Sequence, residues 1–468
     1  MSKLVQALDN TTYTANGAVT FKSTGSACLD LFSVIGASRG KDVSGAFLKS
    51  LEESLDVTLR ILLWSRDVRG GAGERGTFKR LVSILIDKVE EGVVHKIIQK
   101  TPEIGRWDDL DLFWDTKYEQ TAAYFWLSAI KDGNGLASKW APSKFKKGAA
   151  PLAKVGGFKV EREWRKFLVP LRSTVEQLMC AREWEEIPHG KLPSLASSRY
   201  DQAFQRHDDS GLYAAYKAAL EKGEVKVNAG ALFPYDPIKA FRNTRDEVIP
   251  AAQWAALRDF ITTDRNFLPI IDVSGSMSTP VGGNPNLKAV DVAVSLGMYL
   301  SERNKGLFKD VFLTFHSNPQ LIQMKGSFAQ RVDQVYRAPW GGSTDLQKSF
   351  KLILDAAVAN NLGEEDMPTH ILLISDMEFN RIEDHWGNNK TNFQAIDEQY
   401  QAAGYKRPQI IFWRVDSGAP NAPVKFDQFG TALVSGFSPA IIKPLLEGGD
   451  LSPMKAMLDV IMVDRYSL

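Results

Sequence analysis

The chain has 468 residues, 57 Lys and Arg against 56 Asp and Glu, a formal net charge of +1, and two cysteines. That length allows two to four domains with sizeable cores. No stretch reaches the ~18 uninterrupted apolar residues of a membrane span. Met1–Gln6 has no long apolar segment, so no secretory signal is expected; Cys28 and Cys180 cannot build a disulfide framework, and a reduced, cytoplasmic protein is expected.

The first half reads as helical. Apolar residues recur at helical spacing over Leu51–Leu63 and Phe78–Val89, and further helices are expected at Tyr118–Ile130, Glu161–Glu185, Ser197–His207 and Leu212–Lys222. Gly70-Gly71-Ala72-Gly73, Thr101-Pro102, Gly133-Asn134-Gly135 and Ile187-Pro188 punctuate them. Short helices with such breaks suggest a solenoid of stacked helix pairs, although no clean repeat period is visible. Residues 1–262 hold 38 Lys and Arg against 33 Asp and Glu, and residues 263–468 hold 19 against 23. This asymmetry permits a polyanion on the first half and a cation on the second.

Two basic clusters stand out. Lys139, Lys144, Lys146, Lys147, Lys154, Lys159, Arg162, Arg165 and Lys166 are opposed only by Glu161 and Glu163, with Trp140, Phe145, Phe158 and Trp164 interleaved. Cations neutralise phosphates and aromatics stack on unpaired bases. A solvated lysine face with tryptophans in the core is the plainer alternative. The second cluster is Arg66, Arg69, Arg75, Lys79 and Arg80, around a glycine loop that opens a helix, a place suited to phosphate. Its plainer alternative is ion pairing, with Arg66 beside Asp67 and Arg75 beside Glu74. The loop lacks Gly-Lys-Ser/Thr, so a nucleotide-binding P-loop is excluded.

From about Asn266 the pattern changes. Strand-like runs Phe267–Ile271, Val311–Phe315, His370–Ile374 and Gln409–Val415 alternate with helical stretches Leu287–Arg303, Leu346–Ala359 and Phe393–Ala403. This alternation predicts a mostly parallel sheet with helices on both faces. Ligands of such sheets bind beyond the carboxyl ends of the strands. Three runs end in polar residues, Asp272, His316 and Ser375-Asp376, which should share one rim. Asp272-Val273-Ser274-Gly275-Ser276 places a carboxylate and two hydroxyls at alternate positions, three hard oxygens suited to a divalent cation. Gly341-Gly342-Ser343-Thr344-Asp345 opens a helix nearby. Ser or Asp after a strand also commonly caps the next helix.

Together these three segments resemble the von Willebrand A domain with its metal-ion-dependent adhesion site, over roughly residues 263–468. The resemblance implies Ser274, Ser276 and Thr344 as hydroxyl ligands and Asp272 and Asp376 as carboxylates. Hard oxygens with retained waters suit Mg²⁺ at about 2.0–2.1 Å, or Mn²⁺. A partner would donate an acidic oxygen to the open position. One departure is that many relatives have Asp-Gly where this chain has Asp376-Met377-Glu378.

The strings Thr24–Phe32, Arg66–Arg75, Gly105–Leu110, Lys139–Ser143 and Leu192–Ser194, followed by such a domain, resemble an uncharacterised TROVE-related family with a Ro-like plan. That resemblance implies a HEAT-like helical-repeat module over 1–262, able to close into a ring, and a von Willebrand A-like domain over 263–468. It also implies RNA as partner, as small structured molecules or single-stranded ends. Arg69 and Arg75 would join the basic stretch on the RNA.

Catalysis finds little support. The histidines His95, His189, His207, His316, His370 and His385 form no paired motif, and no Gly-x-Ser-x-Gly elbow is present. The expectation is a non-enzymatic, RNA-binding scaffold with a Mg²⁺ site. A metal-dependent protein adaptor is the alternative and a metal-dependent nuclease the weaker one.

Overall fold

The computed structural model describes residues 10–143, 146–172, 174–281, 283–341, 343–381, 390–418 and 421–468. A two-stranded antiparallel hairpin comes first, β1 (Thr11–Tyr13) and β2 (Val19–Phe21). A mostly helical region follows, and then a mixed α/β domain with a six-stranded sheet.

The helices follow the periodicity, and their breaks have local causes. The helix expected at Leu51–Leu63 divides at Ser54 into Ser44–Glu53 and Leu55–Arg66. Ser54 takes extended dihedrals and its hydroxyl accepts from the Val57 amide, so it caps the second helix. The stretch expected as one helix over Glu161–Glu185 ends at Leu168 and resumes at Val175–Ala181. Pro170 lies between, within the short turn Val169–Leu171, and a proline has no amide to continue the ladder.

In the α/β domain, β3 (Phe267–Ile271), β4 (Val311–Thr314), β5 (Leu321–Gln323), β6 (His370–Ser375), β7 (Gln409–Arg414) and β8 (Thr431–Ser435) form one sheet in the order β5-β4-β3-β6-β7-β8. All neighbours are parallel except the edge pair β4–β5. All of β3 and all of β6 are buried, as expected of parallel strands covered on both faces. The order reverses direction between β3 and β6, which makes a crevice at their carboxyl ends. Helix Ala289–Arg303 lies tightly on β3: a Cβ on Gly297 would fall 2.2 Å from Ile271 Cδ1. That contact fixes the end of β3, and hence Asp272.

One continuous hydrophobic core runs through both regions, from Phe32, Trp64 and Trp126 to Ile271, Phe350 and Trp413. Helix Ala27–Ile35 lies on β8. Gly36 N–H donates to Ser435 Oγ (3.0 Å), which in turn donates to the Phe32 carbonyl (2.9 Å). A Cβ on Gly36 would meet the Ser435 carbonyl oxygen at 2.3 Å, so only glycine allows this approach.

Candidate functional site at the carboxyl-end rim

Asp272 follows β3 directly and is fully buried. Its Oδ1 accepts from the Ser274 amide (2.9 Å) and its Oδ2 from Ser375 Oγ (2.6 Å). Burial first, and then the neighbouring Asp376 charge, pushes its carboxyl up to about 7. Ser274 Oγ lies 3.1 Å from Ser276 Oγ, at a single turn of 3-10 helix spanning Gly275–Ser278. Ser274 is buried and Ser276 is exposed. Asp376 Oδ1 accepts from the Glu378 amide (3.0 Å). Asp272, Ser274, Ser276 and Asp376 therefore share the β3–β6 switch point, as the alternation of elements predicts.

Thr344 is engaged elsewhere. Its hydroxyl lies 2.7 Å from the Glu378 carbonyl oxygen and 3.0 Å from Asn380 Oδ1, and Asn16 Nδ2 donates to it at 3.3 Å. The partner from the far end of the chain, Asn16, carries no local sequence signal. Gly342 of the same loop lies outside the described residues.

Arg414, at the end of β7, escaped the sequence reading. It is buried, its Nη1 donates to the Asp376 carbonyl (3.3 Å), and its Nη2 donates to the backbone oxygen (2.6 Å) and Oδ1 (2.9 Å) of Asn421. Burial pulls its pKa down to about 10 against the opposing pull of Asp376, Glu378 and Asp416. A charge at the end of the apolar strand run Ile410–Trp413 is the one signal that could have flagged it. Glu378 accepts from the Ala15 amide and, at 3.0 Å, from Asn421 Nδ2. Burial raises its pKa.

These contacts correct the expectation of Mg²⁺ or Mn²⁺. Among the described residues no group of three or more His, Cys, Asp or Glu converges to hold a metal ion. Both oxygens of Asp272 already accept hydrogen bonds, Thr344 is bound elsewhere, and Arg414 supplies positive charge beside Asp376. With the metal go the acidic partner group it would have recruited, the metal-dependent adaptor and the metal-dependent nuclease.

The RNA-binding expectation is corrected as well. Trp164 is fully buried, with its indole N–H on the Pro142 carbonyl (2.9 Å), and Phe158 packs against it. Trp140 is half-buried beneath the Arg106 guanidinium, 3.8 Å from its centroid. These rings are core, not stacking platforms. Lys146, Lys147, Lys154, Lys159, Arg162, Arg165 and Lys166 are exposed around that core, which is the pattern of a solvated face; Lys144 and Phe145 lie outside the described residues. Lys139 is half-buried beside Trp140. In the second cluster Arg75 pairs with Asp108 (2.7 Å) and Asp109 (2.5 Å), Lys79 with Asp111 (2.5 Å), and Arg69 bonds the Glu103 carbonyl (3.1 Å). The ion pairs join different partners from the sequence neighbours: Arg66 goes to Asp109, and Glu74 to Arg39.

The described histidines are scattered through the fold. His95 faces Glu91, His189 sits among Phe204, Tyr213 and Tyr216, and His207 stacks on Trp184. His316 Nδ1 accepts from the Asn318 amide (3.3 Å). His385 lies outside the described residues.

The rim does have an occupant, the N-terminal hairpin. Thr14 Oγ1 donates to the Phe379 carbonyl (2.6 Å) and Asn16 Nδ2 to the Glu378 carbonyl (2.7 Å). The Arg381 amide donates to the Asn16 carbonyl (3.1 Å), and Phe21 and Ala422 exchange two backbone hydrogen bonds, at 3.0 and 2.9 Å.

Residues 266–464 match a domain of unknown function (DUF7788), and residues 14–88 and 158–263 match a second domain of unknown function (DUF2828). A protein of Acanthamoeba polyphaga mimivirus described as uncharacterized is 26% identical over 514 residues, covering 97% of this chain and 87% of its own length. Neither matched domain is a TROVE or von Willebrand A family.

Proposed function

We propose that this protein is a non-catalytic scaffold with a TROVE-like helical-repeat part and an α/β part of von Willebrand A-like course. Its carboxyl-end rim engages extended polypeptide through the main chain, without a metal. The observation that carries the reading is the seat of the hairpin Thr11–Phe21. Its backbone and two short side chains bond the Glu378–Arg381 segment and Ala422, all at or beside the crevice where sheets of this order take ligands. Main-chain pairing with an added strand is a general mode of peptide recognition.

The test uses the full chain. Thr14→Val with Asn16→Ala loosens the resident hairpin, and a synthetic peptide of residues 10–23 is then titrated in buffer with chelator. The double variant binds one peptide, and the unaltered chain binds it at least about tenfold more weakly, because its own hairpin competes at high effective concentration. Failure of the variant to bind the peptide, although its hairpin amides exchange faster than in the unaltered chain, would sink the reading.

A further inference from the structure

A cleft of about 690 Å³ opens in the helical region, on the side of the molecule carrying Trp114, Lys139, Trp140, Lys146 and Arg172. Its size falls within the range of small-molecule sites. We propose that it binds a small aromatic phosphate monoester.

The argument begins with Arg172. Its guanidinium is held by three neutral acceptors: Nε donates to the Ser138 carbonyl (3.0 Å), Nη1 to Ser143 Oγ (3.2 Å), and Nη2 to the Ala141 carbonyl. No carboxylate among the described residues pairs with it. Burial, and then the nearby Arg165 charge, lowers its pKa. A half-buried, oriented guanidinium without a counterion is a standing demand for an anion.

The surrounding charges do not meet that demand. Two carboxylates line the cleft, and both are engaged. Asp111 takes Lys79 at 2.5 Å, and Asp108 takes Arg75 and Arg106, each at 2.7 Å. Lys147 is answered by Asp115 at 2.6 Å. Lys139 and Lys146 have no carboxylate within ion-pairing distance among the described residues, and Lys139 is half-buried with its ammonium 6.0 Å from the Trp140 ring centroid. Three uncompensated cations therefore share one concavity. A dianion answers that charge better than a single carboxylate does.

The wall supplies the rest of the specificity. Trp114 and Trp126 lie parallel, with centroids 6.2 Å apart and planes at 9°, and Trp140 forms the rim under Arg106. Gly148 is in the left-handed region (φ +90°), and a Cβ there would sit 2.2 Å from Trp114 Nε1, so the backbone presses directly on the indole. Trp114 and Trp126 are buried behind the wall, so the half-buried Trp140 supplies the accessible apolar contact for a flat group whose phosphate reaches Arg172.

Calorimetric titration of the full chain tests the assignment with phenyl phosphate, inorganic phosphate and benzoate as probes. Phenyl phosphate binds with one site per chain, and each of the other two binds at least about tenfold more weakly, having lost the ring or a charge. Lys139→Ala with Lys146→Ala weakens phenyl phosphate by about tenfold or more and leaves the thermal midpoint unchanged. Arg172→Lys weakens it by a similar factor, since one ammonium cannot reproduce the fork. The absence of saturable binding, or equal affinity in the lysine variant, overturns the proposal. Tighter binding of benzoate than of phenyl phosphate overturns the phosphate assignment.

Discussion

Asp67 and Arg465 stand 398 positions apart and form a two-pronged ion pair, with Nε on Oδ2 at 2.5 Å and Nη2 on Oδ1 at 2.8 Å. Asp67 is fully buried, and Tyr466 Oη and the Arg69 amide, each at 3.0 Å, complete its shell. The pairing holds Asp67 below the usual carboxylate range despite burial. Arg465→Ala should cost about 3 kcal/mol, because it leaves a buried carboxylate short of its cation. Asp67→Asn should cost less, since the amide keeps one acceptor. Urea unfolding of both variants gives the order.

A second buried anion, Asp109, accepts from Arg66 (2.8 and 2.5 Å), Arg75 (2.5 Å) and the Arg106 amide (2.9 Å). Asp109→Ala strands the Arg66 guanidinium, which is only 1% exposed, and should cost about 3–5 kcal/mol. The double replacement Asp109→Leu with Arg66→Met should recover more than half of that loss. A double-mutant cycle by chemical denaturation measures the coupling.

His370 gives the molecule an acid limit. It is fully buried at the start of β6, and burial, assisted by the Arg265 charge, lowers its pKa to about 4. The ordinary value is about 6.5, so between pH 6.5 and 4 the unfolded chain binds the extra proton. Stability from this group is complete above pH 6.5 and falls by about 3 kcal/mol as pH drops to 4. Asp236 works in the opposite sense, because burial raises it to about 6 and its contribution shrinks as pH rises through 4–6. His370→Gln should remove the first slope and leave the second. The difference between the two stability profiles, measured in urea from pH 4 to 7, isolates the histidine.

Met377 occupies the left-handed region (φ 70°) at the rim, beside Asp376. That conformation costs a non-glycine residue about 1–2 kcal/mol. The side chain is 2% exposed, and truncating a buried methionine costs about 2–5 kcal/mol. The second effect is larger, so Met377→Gly should destabilise by about 1–3 kcal/mol in spite of relieving the backbone. Thermal unfolding checks the sign.

The strands β3 and β6 are legible in the sequence because every position is buried and all but His370 and Ser375, at the two ends of β6, are apolar. Their shared rim follows from the alternation of elements alone. β8 escapes notice because Thr431 and Ser435 frame only three apolar residues, and its burial comes from helices Ala27–Ile35 and Pro453–Ile461. The hairpin Thr11–Phe21 is polar and short, and it is held by Glu378, Phe379 and Ala422, so no local pattern announces it. The same reason defeats the metal reading. Spacing can place Asp272, Ser274, Ser276 and Asp376 together, but the Thr344 hydroxyl follows Asn16, Glu378 and Asn380, and Arg414 reaches the site from another strand. Lys139–Lys166 misleads because its aromatics serve a core that only tertiary packing reveals.

The hairpin also sets a timetable for biosynthesis. Its residues leave the ribosome well before Ala422, which closes its last backbone pair and is made some four hundred residues later. At about 5–20 residues per second that interval is roughly 20–80 s. Throughout it, β1 and β2 lack their seat, and helix Ala27–Ile35 lacks the strand it covers. The nascent amino-terminal segment must therefore stay soluble on its own composition, and its many Thr, Ser, Asn and Gly residues, with few large apolar side chains between Asn10 and Gly25, equip it for that wait.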